Sequence, residues 1–273
     1  MSVIAFIQNP NALASVAEYA AWAARQMDEA IRFVALSPNA EQEPVLDTDA
    51  YQIMDTQEDM FRELVSSERR QVTREEPWGV EQVQTAARFA RELGVERVST
   101  DISDESFASY VEHHTDSTDL LVIGGRGSRR DLTAAMQVRK RVFLVVPGRF
   151  ASIDSWMMAY SNDAGSGRAV EFLTSHTLLR DKAGIAAIGG GDEPARMHFR
   201  DAMEHLTSAG HTIRQYELQG NADDVLAAVL TVLPIDLLVV GVSSAERFRT
   251  LWDRSKALRL ASAYHGPILL ARS

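Results

Sequence analysis

The chain of 273 residues carries 28 basic against 38 acidic residues, a formal net charge of −10, and its hydrophobic content is 45%. That balance argues against a general nucleic-acid binder, and the absence of cysteine excludes disulfide staples and cysteine-built metal sites. No apolar run approaches the roughly 18–20 residues of a membrane span. A first strand starting almost at Met1 leaves no basic region or long apolar region for a signal peptide. A cytoplasmic location is expected, with neither nucleic acid nor membrane as partner.

Val3 to Ile7 reads as a buried strand, followed by an alanine-rich helix from Ala12 to Met27 with Asn9 or Asn11 as its N-cap. Ile31 to Leu36 is the second strand. A polar stretch follows, with a helix predicted from Asp49 to Arg70; its charge run Glu68 to Glu76 reads as a solvated face. The Pro77-Trp78-Gly79 break restarts a helix over Val80 to Leu93, with Gly94 as its C-cap. Val95 to Thr100 is expected as the third strand, and a helix is expected to begin at Ser103, with Asp104 and Glu105 in its first turn, and to end near His113-His114. Beyond residues 147–152 the pattern returns: strand Trp156 to Tyr160, helix Gly165 to Leu178, strand Gly184 to Ile188, helix Glu193 to Ala209 closed by Gly210, and strand His211 to Leu218. A turn at Gln219-Gly220-Asn221 leads into a further helix that Pro234 stops.

Two stretches are versions of one another. Asp119-Leu120-Leu121-Val122-Ile123-Gly124 and Asp236-Leu237-Leu238-Val239-Val240-Gly241 each set an acidic residue before an apolar run that ends in glycine. Each leads on to a last apolar run, Val142 to Val146 or Ile268 to Ala271. Apolar runs without alternation suit strands buried on both faces of a parallel sheet, and strands alternating with helices give right-handed crossovers. The fold class is therefore α/β, in two tandem domains spanning 1–148 and 152–273, each a five-stranded, mostly parallel sheet with helices on both faces.

Gly220-Asn221-Ala222-Asp223-Asp224-Val225-Leu226, the Asp236 strand with Gly241, and the ending Gly266-Pro267-Ile268-Leu269-Leu270 resemble the second half of a universal stress protein domain. The resemblance covers nearly all of both halves and is weakest from Glu41 to Gly79. It implies a tandem member with a fold related to the adenine nucleotide α-hydrolases, an internal pseudo-dimer in which the two last strands meet, and a role in stress survival. A homodimer and an unidentified protein partner are compatible with it.

In that family a glycine after the fourth strand, a glycine three on, and a Gly-Ser or Gly-Thr ten further cradle phosphates, and an acidic residue after the first strand holds the adenosine. The physical reason is that glycines admit phosphates close to the backbone and amides at a helix N-terminus bind anions. Neither half keeps the full set. Gly124 and Gly127 are in place in the first half, but Gln137-Val138 stands for Gly-Ser and Gln8 for the acid, and the last helix is expected to be shortened. In the second half Gly241 and Ser255 match, while Ser244, Arg254 and Ser161 replace the second glycine, the third glycine and the acid. Two readings compete. In one, Gly124 and Gly241 only turn the chain. In the other, the second half binds ATP or a related nucleotide through Ser243, Ser244, Arg254 and Ser255, as a regulatory switch.

No P-loop is present, Gly189-Gly190-Gly191 reads as a loop, and the histidines lack ligand spacing. Ser255 and His265 share a segment without an indicated orienting base. The expectation is a non-enzymatic stress protein with at most weak nucleotide binding.

Overall fold

A computed structural model describes residues 1–8, 10–36, 79–124, 137–189, 192–218, 233–243 and 264–273. The helices predicted at 49–70 and after Gln219, and the shortened last helix of the first half, lie outside the described residues.

In the first half the elements are β1 (Val3–Phe6), a 3-10 turn at Pro10–Ala12, α1 (Leu13–Met27), β2 (Ile31–Leu36), α2 (Val80–Glu92), β3 (Val98–Ser103), α3 (Phe107–His114), β4 (Leu120–Gly124) and β5 (Arg141–Val146). In the second they are β6 (Ser155–Tyr160), α4 (Ala164–Ser175), β7 (Ala183–Gly189), α5 (Glu193–Ser208), β8 (Thr212–Leu218), β9 (Leu237–Val242) and β10 (Ile268–Arg272). The ten strands of the described residues join one sheet in the order β3-β2-β1-β4-β5-β10-β9-β6-β7-β8. Among the described residues the strand pairs within each half are parallel, and the one antiparallel joint is β5 against β10.

That joint has an internal two-fold relation. Leu120 pairs with Val142 and Leu238 with Ile268, which makes Leu144 and Leu269 corresponding residues of the two halves, and these two face each other across the joint. The pairing covers the last strand of each half, where free N–H and C=O groups would otherwise form an edge. Alternation along the strands then builds two layers. Val3, Ala5, Val122, Leu144 and Leu269 face α1, α2, α4 and α5, whereas Ile4, Phe6, Leu121, Phe143 and Leu270 face the opposite side with Phe107, Tyr110 and Val111 of α3.

The duplicated aspartates work at the amino ends of the strands. Asp119, 4% exposed, accepts from the amide of Ser2 at 2.6 Å and that of Asp116 at 2.8 Å. Asp236 accepts from the amide and hydroxyl of Ser155 at 2.8 and 2.7 Å. Each ties the start of one central strand to its neighbour, where the strand amides otherwise lack a partner.

Several boundaries differ from the sequence expectation. The third strand begins at Val98, not Val95, because Gly94 closes α2 with φ +88 and the Val95 amide turns back to the Ala90 carbonyl. That strand runs through Ser103, so α3 starts at Phe107 with Ser106 as cap, its side chain accepting from the Ser109 amide. Asp104 and Glu105 therefore precede the helix. Neither Asn9 nor Asn11 is the N-cap of α1: a 3-10 turn intervenes and Ala12 holds that position without a side-chain bond. In the second half α4 ends at Ser175, short of Leu178, which is buried in the connection that follows.

Candidate functional site

In each half the strand order reverses between two central strands, β1 and β4 or β6 and β9. Crevices at the carboxyl ends of such strands are where open α/β sheets place ligands. The antiparallel joint points these crevices toward opposite ends of the sheet.

The second-half crevice is built tightly. Beyond β6, Asp163 caps α4 by accepting the Ser166 amide at 2.8 Å. Ser166, with no exposed surface, offers its Oγ to the Ser161 amide at 3.1 Å and lies 3.2 Å from the Ser161 hydroxyl. Ser161, which stands where the acid would be, is thus tied into its own turn. A methyl group on Gly241 would overlap the Ser166 amide nitrogen and the Gly165 carbonyl carbon; one on Gly165 would overlap the Val242 amide. Two facing glycines let a helix N-terminus rest on a strand end, backbone on backbone. Ser243 presents its carbonyl to the Arg272 guanidinium at 2.6 Å. Arg272 is 5% exposed, and burial, with Arg139 nearby, pushes its pKa below the usual arginine range.

The first-half crevice is looser. A methyl on Gly124 would stand 2.7 Å from Val16 Cγ2 and 2.8 Å from Ala12 Cβ, so side chains rather than backbone meet the strand there. The Gln8 Oε1, buried at the end of β1, has no hydrogen-bond partner among the described residues. The structure therefore brings Ser161 and Gly241 together on the α4 terminus, and sets Gln8 just beyond β1 and Gly124 at the end of the adjacent β4. Gly127, Ser244, Arg254 and Ser255 lie outside the described residues.

Two clusters gather around histidines whose spacing in the sequence shows no ligand pattern. Just before α3, Glu105 accepts from Ser109 Oγ at 2.6 Å and pairs with His114 Nε2 at 2.6 Å and His113 Nδ1 at 3.3 Å, all three on the helix. These bonds lower its carboxyl to about 2, the Ser109 hydroxyl contributing most. This is no catalytic relay: Ser109 and Glu105 address the same nitrogen of His113, and a relay needs opposite ones. Among the described residues no group of three could hold a metal ion. The second cluster lines a groove of about 620 Å³ between α4 and α5, floored by Tyr160, Val170 and Ala202. Its sequence signal is the run His198, Asp201, His205 at helical spacing on one face of α5.

The class is thus an α/β protein of two tandem parallel five-stranded units joined through their last strands, with a crevice at each switch point. No family model matches the chain. Universal stress protein Slr1230 of Synechocystis sp. is 24% identical over 268 residues, 93% of each chain. A universal stress protein from Archaeoglobus fulgidus has a similar fold, with a TM-score of 0.57 at 10% identity over 99% of this chain and 96% of that one. The cytoplasmic domain of a prokaryotic cation chloride cotransporter does too, with a TM-score of 0.55 at 11% identity over 100% and 95%. Over nearly its whole length the chain is similar in sequence to a universal stress protein, and its fold is the one found in universal stress proteins of known structure.

Proposed function

We propose that the chain serves stress survival in the cytoplasm through contacts with other proteins, without catalysis, and that its binding of ATP or a related nucleotide is weak and confined to the second half. The observation that carries this reading is the turn after β6. Ser161 offers a neutral hydroxyl already engaged with Ser166, where adenosine recognition calls for a free carboxylate. Gly241 and Gly165 have a packing role that needs no ligand. Losing one charge-assisted hydrogen bond costs about 1.5–3 kcal/mol, or roughly ten- to a hundredfold in affinity. Two such losses take a micromolar site to about millimolar.

The test is calorimetry with ATP and magnesium on the intact chain and on Ser161→Trp and Gln8→Trp variants, with circular dichroism to check folding. The expected result is a dissociation constant near millimolar, with residual binding removed by Ser161→Trp alone. Micromolar binding by the intact chain overturns the reading, and loss in Gln8→Trp alone moves the site to the first half. Gly241→Trp is not a usable probe, since any side chain there collides with the backbone of α4.

A further inference from the structure

We propose that the groove between α4 and α5 is a binding site for alkylammonium compounds of the diamine and polyamine class. Its volume, about 620 Å³, lies in the range of small-molecule sites. Among the described residues that line it none is lysine or arginine, and carboxylates stand on both walls, Glu171 on α4 and Asp201 on α5.

The hydrogen-bonding state of the lining defines the ligand. His198 Nδ1 lies 3.0 Å from Asn162 Oδ1, which accepts from it and holds the ring at the groove. Thr174 spends its hydroxyl proton on the Val170 and Glu171 carbonyls, each at 2.9 Å, and is left as an acceptor. Glu171 gives one oxygen to Arg168 at 2.7 Å and keeps the other. Asp201 has no hydrogen bond or ion pair among the described residues. The described lining thus holds two carboxylates, Glu171 shared with Arg168 and Asp201 without such a partner, and no lysine or arginine, and the group that complements them is a cation; an ammonium has three protons to give and accepts none. The apolar floor suits the methylenes between ammonium groups.

The first half shows how the same place is filled when it has no such use. His205 and Phe89 each stand five residues before the left-handed glycine that follows their helix, Gly210 and Gly94. Phe89 packs against the core, whereas His205 is exposed at the groove.

Calorimetry of the full chain with spermidine at low ionic strength tests the proposal. It uses Asp201→Asn, His205→Phe, and Glu18→Gln on α1 as a first-half control. One saturable site is expected, weakened about ten- to a hundredfold in Asp201→Asn, which lies on the surface and leaves the fold intact. Binding should be lost in His205→Phe and unchanged in Glu18→Gln. Equal affinity in all four chains would mean general counterion association with an acidic protein, and would overturn the site. So would an absence of saturable heat, or binding of a pentalysine peptide without binding of spermidine.

Discussion

The two helix pairs on one face of the sheet, α1 with α2 and α4 with α5, began as the same design and now differ in side-chain size. α1 buries five alanines, Ala17, Ala20, Ala21, Ala23 and Ala24, beside Val16 and Tyr19, and α2 buries Ala86, Ala87 and Ala90 beside Val83. α4 buries a single alanine, Ala169, beside Val170, Phe172 and Leu173, and α5 a single alanine, Ala195, beside Phe199, Met203 and Leu206. Small side chains let helices approach closely and bulkier ones hold them apart, since the interaxial distance follows the residues at the contact. The duplication preserved strand order and register, which backbone hydrogen bonds fix. It left the helix spacing free to drift with side-chain volume, and a groove opened in the second pair.

That contrast can be probed at several strengths. The joint between the halves should show the largest effect. Leu269→Ala and Leu144→Ala each remove a fully buried side chain from corresponding places, so each should cost about 3–4 kcal/mol in urea unfolding. Their sum should fall short of additive in the double variant, because the two side chains face one another. Full additivity would mean that they do not share a contact.

Next come the two crevice glycines. Gly241→Ala forces a methyl into the α4 backbone, Gly124→Ala only into side chains. The first should lose about 3 kcal/mol and the second about 1 kcal/mol, read from urea midpoints. Equal losses would remove the distinction drawn between a tight and a loose crevice.

A smaller effect is expected from exchanging the groove residues. Phe89→His should destabilise by about 1–2 kcal/mol through lost apolar burial, and His205→Phe should stabilise by about 0.5–1 kcal/mol. A loss of stability in His205→Phe would show that the groove cannot be closed by the residue the first half uses.

The smallest concerns Glu105. Its folded carboxyl is depressed from the ordinary 4.5 to about 2, chiefly by the Ser109 hydroxyl and then the two histidines. A depressed acid contributes stability above its unfolded value and loses it as pH falls through the folded one. The stability gap between the chain and Glu105→Gln should therefore be full above about pH 4.5 and close toward pH 2. It should be modest, since exposed pairs contribute little. A gap independent of pH would show that the bonds do not depend on the carboxylate's charge.

Much of this molecule could be read before it was seen folded. The apolar runs around Leu121 and Leu238 could only be strands buried on both faces, and nine of the ten strands fell where such runs or their companions predicted, within a residue or two. The exception is β3, where Val95 is buried and apolar just after Gly94 but its amide closes back on Ala90, so it marks the end of α2 and the strand starts three residues later at Val98. The site was less legible. The replaced acids at Gln8 and Ser161 were visible as residue types, but not that Ser161 would be tied to Ser166.

Sequence alone determined the repeat, the strand–helix alternation and the residues missing from a phosphate loop, because these follow from local periodicity and residue identity. Only the tertiary structure decided what the glycines are for. A glycine at a strand end looks the same in sequence whether it admits a phosphate or a helix. At Gly241 it is the α4 backbone that comes within contact distance, a neighbour that belongs to a segment about 75 residues earlier in the chain. The groove has the same origin: His198, Asp201 and His205 acquire an opposite wall only when α4 packs alongside them.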